Sequence, residues 1–75
     1  MINYAYEITE ILSPVIGEEL AGETVRIQCE RMGISPQEIT RKNLIKIAAW
    51  VEKVLTIFAD REIASEIKEQ ILMLR

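Results

Sequence analysis

Apolar residues recur at intervals of three and four positions along the whole chain, which is the spacing of an amphipathic helix. Tyr4, Ile8, Ile11 and Leu12 form one such stripe near the amino terminus. No segment alternates between apolar and polar residues for long enough to predict a strand. The pattern therefore predicts an all-α fold.

Residues that favour the first or last positions of a helix divide this pattern into separate helices. Ser13 and Pro14 predict a stop or a fresh start, because proline favours the first helical position. A second helix is predicted over Glu18–Met32, with acids in its first turn, Arg31 in its last turn and Gly33 as the left-handed residue after its end.

Two further helices are predicted in the carboxy-terminal half. The third covers residues 41–57, with Thr40 available as its N-cap, and the fourth covers residues 61–74, with Asp60 as its cap. The expected inner face of the fourth helix consists of Ile63, Ala64, Ile67, Ile71 and Leu74.

A shift of 43 residues aligns the chain with itself and places residues 11–24 over residues 54–67. The identical pairs are Leu12/Leu55, Glu19/Glu62, Ala21/Ala64 and Glu23/Glu66. One hypothesis is a duplicated helix–corner–helix unit, in which Gly17 and Asp60 start equivalent second helices. The alternative is that any two amphipathic hairpins match to this degree.

The predicted architecture is a single four-helix bundle-like domain over residues 1–75, built from two helical hairpins. The first hairpin covers residues 1–32 and the second covers residues 41–75, with a hinge at residues 33–40. Ser35, Pro36 and Glu38 form the pattern S-P-x-E of a capping box, which predicts a short capped turn in the hinge.

The same region, residues 29–46, has an alternative interpretation as a DNA-binding helix-turn-helix. Cys29, Gly33, Ile34 and Ile39 match its small, glycine and apolar positions, but Lys42 falls where the second helix needs an apolar anchor. We therefore favour the hinge. In the alternative, a small DNA-binding regulator, the nucleic-acid contacts are Arg41, Lys42, Asn43 and Lys46.

Chain length and composition favour self-association. A domain of 75 residues buries only about 60 per cent of the surface of its unfolded chain, and a single cysteine permits no intrachain disulfide. Apolar residues nevertheless make up 49 per cent of the chain, and the second and third helices have apolar faces wider than the roughly 100° stripe of an ordinary surface helix. We therefore expect a homodimer. The candidate association seam consists of Val25, Gln28, Cys29, Trp50, Leu72 and Met73.

Catalytic chemistry is not indicated by any motif. The chain has no histidine, so Cys29 lacks the usual activating base and is expected to be a buried structural thiol. Paired acids such as Glu18 and Glu19 are common in first helical turns, and without histidine they predict no metal site. We expect no enzyme activity, no cofactor and no metal.

Charge and targeting signals complete the prediction. Residues 1–25 contain five glutamates and no base, and this acidic segment argues against a broad nucleic-acid surface. The most apolar segment, residues 44–59, is interrupted by charges, so no membrane span is expected. A secretory signal begins with positively charged residues, whereas this chain has Glu7 and Glu10 near its amino terminus, so no such signal is expected. A single cysteine, Cys29, is typical of a protein of the reducing cytosol. The sequence thus predicts a cytoplasmic, non-enzymatic protein–protein interaction module.

Overall fold

The computed structural model describes residues 3–74, and within these residues the chain is helical with no strand. The prediction of an all-α fold is confirmed. The elements are α1 (Tyr4–Ile16), α2 (Glu18–Met32), a short 3-10 turn (Pro36–Glu38), α3 (Arg41–Phe58) and α4 (Arg61–Leu72).

The chain divides into two compact units, and the boundary lies between Thr40 and Arg41. Helices α1 and α2 pack against each other in the first unit, and α3 and α4 do so in the second. The 3-10 turn contacts both α1 and α2, so the predicted hinge at residues 33–40 is part of the first unit. The prediction of two helical hairpins is thus confirmed.

Helix α1 continues through Pro14, so the predicted stop or restart at that residue is wrong. Proline has no N–H, which removes the donor that would bond the Glu10 carbonyl. The loss is one hydrogen bond, and Pro14 lies in the last turn of the helix. The helix ends instead at Gly17, whose φ of 88° is a conformation that favours glycine.

Helix α2 has the predicted bounds and the predicted end. Gly33 adopts the left-handed conformation with φ 72°. Its N–H donates to the Glu30 carbonyl at 3.1 Å, and the N–H of Ile34 donates to the Cys29 carbonyl at 3.0 Å. These two bonds form a Schellman motif, which satisfies carbonyl groups that the helix end would otherwise leave unpaired.

The capping box predicted for the hinge is confirmed at the 3-10 turn. The Ser35 N–H donates to Glu38 Oε1 at 2.7 Å. This bond stabilises the charged carboxylate and lowers the pKa of Glu38 below its ordinary value. Ile39, directly after the turn, is buried and ties the end of this segment to the apolar interior.

The second hairpin differs from the prediction only at helix ends. Helix α3 extends one residue further, to Phe58, and α4 ends at Leu72 instead of residue 74. The predicted cap is confirmed, since Asp60 Oδ1 accepts a hydrogen bond from the Ile63 N–H at 2.8 Å. The sequence has no glycine after residue 33 to mark the end of α4, and a boundary without such a signal is hard to place.

Buried positions in the two hairpins coincide under the shift of 43 residues. The buried pairs are Ile8/Val51, Leu12/Leu55, Ala21/Ala64 and Gln28/Ile71. This coincidence is what a duplicated hairpin predicts, although any two antiparallel helix pairs share part of it. The last pair differs in polarity, because Gln28 of the first hairpin has an amide where Ile71 of the second has an aliphatic side chain.

Candidate association surfaces

Large exposed apolar side chains are concentrated on the second hairpin. In the described part of the chain eight such residues are exposed, and five of them belong to α3 and the end of α4. The five are Ile45, Ile57, Phe58, Leu72 and Met73. Patches of exposed apolar surface on a small protein are candidates for an interaction site.

Three residues of the predicted seam lie on α2, and all three are buried in the single chain. Val25, Gln28 and Cys29 are at most 7% exposed. A partner could reach them only if the chain opened, which makes them poor first contacts. Trp50, the predicted seam residue on α3, is half-buried.

The other two predicted seam residues are accessible. Leu72 is 40% exposed and Met73 is 75% exposed. The hairpin is antiparallel, because only Ala59 and Asp60 separate its helices, so the end of α4 lies beside the beginning of α3. The residues Leu72 and Met73 therefore occupy the open end of this hairpin.

A second apolar patch lies at the corner end of the same hairpin. Ile57 and Phe58 are 75% and 78% exposed at the end of α3. Phe58 has the helical phase of the buried residues Val51 and Leu55, so the sequence pattern predicts it to be inside. It is exposed because α3 ends at this residue and the chain turns at Ala59 and Asp60.

A groove of about 460 Å³ runs along α3 beside this patch. Its lining residues are Ala49, Glu52, Lys53, Thr56, Ile57 and Arg61. Glu52 Oε1 lies 3.4 Å from Lys68 Nζ, so this acid is neutralised within the hairpin. Lys53 and Arg61 make no ion pair with any residue of the described chain. The groove thus combines the apolar residues Ala49 and Ile57 with two cations that have no ion-pair partner among residues 3–74.

The first hairpin carries an acidic counterpart on α2. Leu20 is 57% exposed and is flanked by the glutamates Glu19 and Glu23. Arg26 holds Glu23 at 2.7 Å and Glu30 at 2.8 Å. The hydrogen bonds from Arg26 lower the pKa of Glu23 below its ordinary value, and this carboxylate is therefore paired within α2.

A groove of about 310 Å³ on the first hairpin lies between the start of α1, α2 and the 3-10 turn. Tyr6, Gly22, Arg26 and Gln37 are among its lining residues. A Cβ atom added to Gly22 would meet no atom within 4 Å, so the wall of this groove is open at that point. No charged or polar group here is buried without a partner, and nothing selects a ligand class.

Two polar groups of α2 are enclosed in apolar surroundings. Burial raises the pKa of the Cys29 thiol, as expected for a structural cysteine. Gln28 Oε1 is buried and accepts no hydrogen bond from any residue between 3 and 74. The same part of the chain contains no group of three or more histidine, cysteine or acidic residues that could hold a metal ion.

The residues predicted to contact DNA lie in the first two turns of α3. Arg41, Lys42 and Lys46 are exposed, and Asn43 is half-buried. Eight residues separate α2 from α3, and a three-residue 3-10 turn stands where a helix-turn-helix needs its recognition helix. The local geometry therefore departs from that motif, although the basic residues remain accessible.

Comparison of the chain with protein-family models, with curated proteins and with solved structures gives no match. None of the described helices is long and apolar enough to span a membrane.

Proposed function

We propose that this protein is a non-enzymatic helical interaction module that associates with a second copy of itself. The supporting observation is the exposure of large apolar residues at both ends of the second hairpin, with Ile57 and Phe58 at the corner end and Met73 at the open end, each at least 75% exposed. In this proposal the protein acts in the cytoplasm, where a lone thiol such as Cys29 stays reduced.

The energetics favour a partner that covers the apolar residues of at least one end of the hairpin together. Full burial of one isoleucine, phenylalanine or methionine side chain contributes about 1.5 to 3 kcal/mol. Association costs about 4 to 15 kcal/mol in lost translational and rotational freedom. A twofold dimer uses every contact twice, so a few exposed side chains per chain are enough to offset this cost.

Light scattering of the purified chain tests the proposal. A homodimer has twice the monomer mass of 8.6 kDa, and we expect this value at micromolar concentration. A mass equal to the monomer under the same conditions would show that the proposal is wrong.

Substitutions at the open end of the second hairpin locate the seam. Leu72→Glu and Met73→Glu place a charge on exposed apolar positions and should weaken association if this end forms the contact. Ser65→Glu is the matched control, because it adds the same charge at an exposed polar position of α4. A dimer that tolerates the changes at residues 72 and 73 has its seam elsewhere, and the corner residues Ile57 and Phe58 are then the next to be replaced by glutamate.

Binding to duplex DNA is the second candidate function, and the exposure of Arg41, Lys42 and Lys46 is the observation that favours it. A phosphate-binding protein loses affinity with added salt by about one unit of log-log slope per contact. Affinity tighter than the micromolar range at near-physiological salt, lost in an Arg41→Ala and Lys42→Ala variant, would support this function over self-association alone.

A further inference from the structure

We infer that one side of the second hairpin binds an amphipathic helix with acidic flanks, which a partner protein contributes. This docking groove has one row of residues from each helix of the hairpin. The rows are Ile45, Ala49, Glu52 and Thr56 on α3 and Arg61, Ser65, Lys68 and Leu72 on α4. Both rows belong to the second unit, so the site is complete within one hairpin.

Helical spacing places the members of each row on one face. Successive members are four, three and four residues apart, and these intervals return side chains to nearly the same direction of a helix. Two observations show that the rows share one side of the hairpin. Glu52 Oε1 lies 3.4 Å from Lys68 Nζ, and Arg61 lines the same groove as Ala49 and Thr56. The rows therefore form the two walls of one groove.

Exposed apolar side chains lie at both ends of the docking groove. Ile45 and Leu72 are 67% and 40% exposed and end the rows at the open end of the hairpin. Ile57 is 75% exposed and lines the groove at the corner end. The eleven residues from Ile45 to Thr56 form three helical turns and span about 16 Å. A partner helix of this length contacts the apolar residues at both ends.

Small side chains occupy the middle of the docking groove. They are Ala49 and Thr56 on α3 and Ser65 on α4, and all three are exposed. The Thr56 hydroxyl donates to the Glu52 carbonyl at 2.7 Å, so it is satisfied within the helix. Small residues allow a third helix to approach the backbone of the hairpin closely.

Bases outnumber acids on this side of the hairpin. Lys53 and Arg61 are exposed and make no ion pair within residues 3–74, and the same holds for Lys46, which shares the direction of Lys53. Glu52, the acid of the two rows, is already paired with Lys68. Apolar contacts flanked by unpaired cations are complementary to a helix with carboxylates beside its apolar stripe.

Other occupants fit this surface less well. The same side of a second copy is also basic, so a twofold contact between two docking grooves opposes like charges. Phosphate groups of a nucleic acid would leave Ile45, Ile57 and Leu72 without an apolar partner. An anionic bilayer favours a continuous apolar face, whereas charged residues separate the two apolar ends here.

Two synthetic helical peptides are the probes for this inference. Both have about 15 residues with leucine at i, i+4, i+7 and i+11, and they carry either glutamate or lysine beside the leucines. Fluorescence anisotropy of the labelled peptides measures binding to the full chain. We expect the glutamate peptide to bind with a micromolar dissociation constant and the lysine peptide to bind at least about tenfold more weakly.

Variants of the chain locate the peptide. Lys53→Glu with Arg61→Glu should reverse the preference, so that the lysine peptide binds more tightly than the glutamate peptide. A misfolded variant would not gain this affinity. Ala49→Phe fills the middle of the groove without changing its charge, and it should weaken the glutamate peptide by at least about tenfold. The matched control is Glu66→Lys with Glu69→Lys, which reverses two exposed charges of α4 outside both rows.

Several results would overturn the inference. They are no binding of the glutamate peptide, equal binding of both peptides, and a glutamate peptide that tolerates both the charge reversal and Ala49→Phe. Duplex DNA and vesicles of phosphatidylcholine with phosphatidylserine are tested at the same salt concentration. Tighter binding of either one than of the glutamate peptide, lost in Lys53→Glu with Arg61→Glu, would assign the groove to that partner instead.

Light scattering of the peptide complex separates this inference from self-association. Phe58 and Met73 lie outside both rows, so they remain available for a dimer contact. A dimer that binds one glutamate peptide per chain supports both proposals. A monomer that binds the peptide contradicts self-association and leaves the docking groove standing. A dimer that the peptide dissociates would show that a second copy covers the groove, which overturns its assignment to a partner protein.

Discussion

Replacing Gln28 with methionine should stabilise the first hairpin. The Gln28 side chain is 7% exposed, and its Oε1 atom accepts no hydrogen bond within residues 3–74. A buried unsatisfied acceptor costs about 1 to 3 kcal/mol, and methionine keeps the length of the side chain while removing the amide. The position related to it by the shift of 43 residues, Ile71, is apolar and fully buried, and we expect position 28 to accept an apolar side chain as well.

The amide nitrogen of Gln28 also leaves in this substitution, so we expect a net gain of about 1 to 2 kcal/mol rather than the full penalty. For a chain of this size such a gain raises the midpoint of thermal unfolding by about 5 to 15 °C. The measurement is made at one fixed protein concentration, because a dimer is stabilised by mass action.

The aromatic residues allow the effect to be localised. Tyr4 and Tyr6 belong to the first unit and Trp50 belongs to the second, so tyrosine absorbance and tryptophan fluorescence report on different units. The tyrosine transition should move to higher temperature in Gln28→Met. A tryptophan transition that moves with it would show that the two units unfold together.

Gln70→Met is the control for this substitution, because it makes the same chemical change on an exposed surface of α4. Its effect should stay within about 0.5 kcal/mol of zero. A Gln28→Met variant that unfolds at a lower temperature than the wild type would refute the reasoning, since the amide would then be contributing hydrogen bonds that stabilise the fold.

Further outcomes are expected for three other residues. Cys29 should react slowly with thiol reagents in the folded chain and quickly in denaturant, because burial blocks access and raises the thiol pKa; rapid labelling of the native chain would contradict this. Gly22→Ala should stabilise α2 by about 0.5 to 1 kcal/mol in thermal unfolding, because the new Cβ meets no atom within 4 Å; a loss of stability would show that the groove there is filled. The pKa of Glu38 is lowered in the fold, so its contribution to stability is present above the ordinary value of 4.5 and is lost as the pH falls through the folded value. Unfolding of Glu38→Gln should accordingly depend less on pH in the acidic range than unfolding of the wild type, and equal dependence would assign no role to this carboxylate.

The sequence by itself determined the elements whose signals are local. The bounds of α2, the left-handed Gly33, the Asp60 cap and the capping box at Ser35 could all be predicted. Each depends on hydrogen bonds between residues at most five positions apart, so the relevant partners are visible in the printed sequence.

Only the tertiary structure decided which helix faces are covered. The sequence pattern placed Val25, Gln28 and Cys29 on the same candidate seam as Leu72 and Met73, yet the first three are buried and the last two are exposed. Helical periodicity gives the direction of a side chain but not the surface that meets it, which is contributed by residues distant in sequence.

The same reason explains the continuation of α1 through Pro14 and the groove that ends at Arg61. Proline removes one hydrogen bond, a local cost that packing of α1 against α2 can outweigh. The groove combines residues of α3 with the first residue of α4 across a corner, so no single helical pattern contains it. Local hydrogen bonds can be predicted from the sequence, because their partners are close along the chain. Burial and grooves depend on the packing of separate helices.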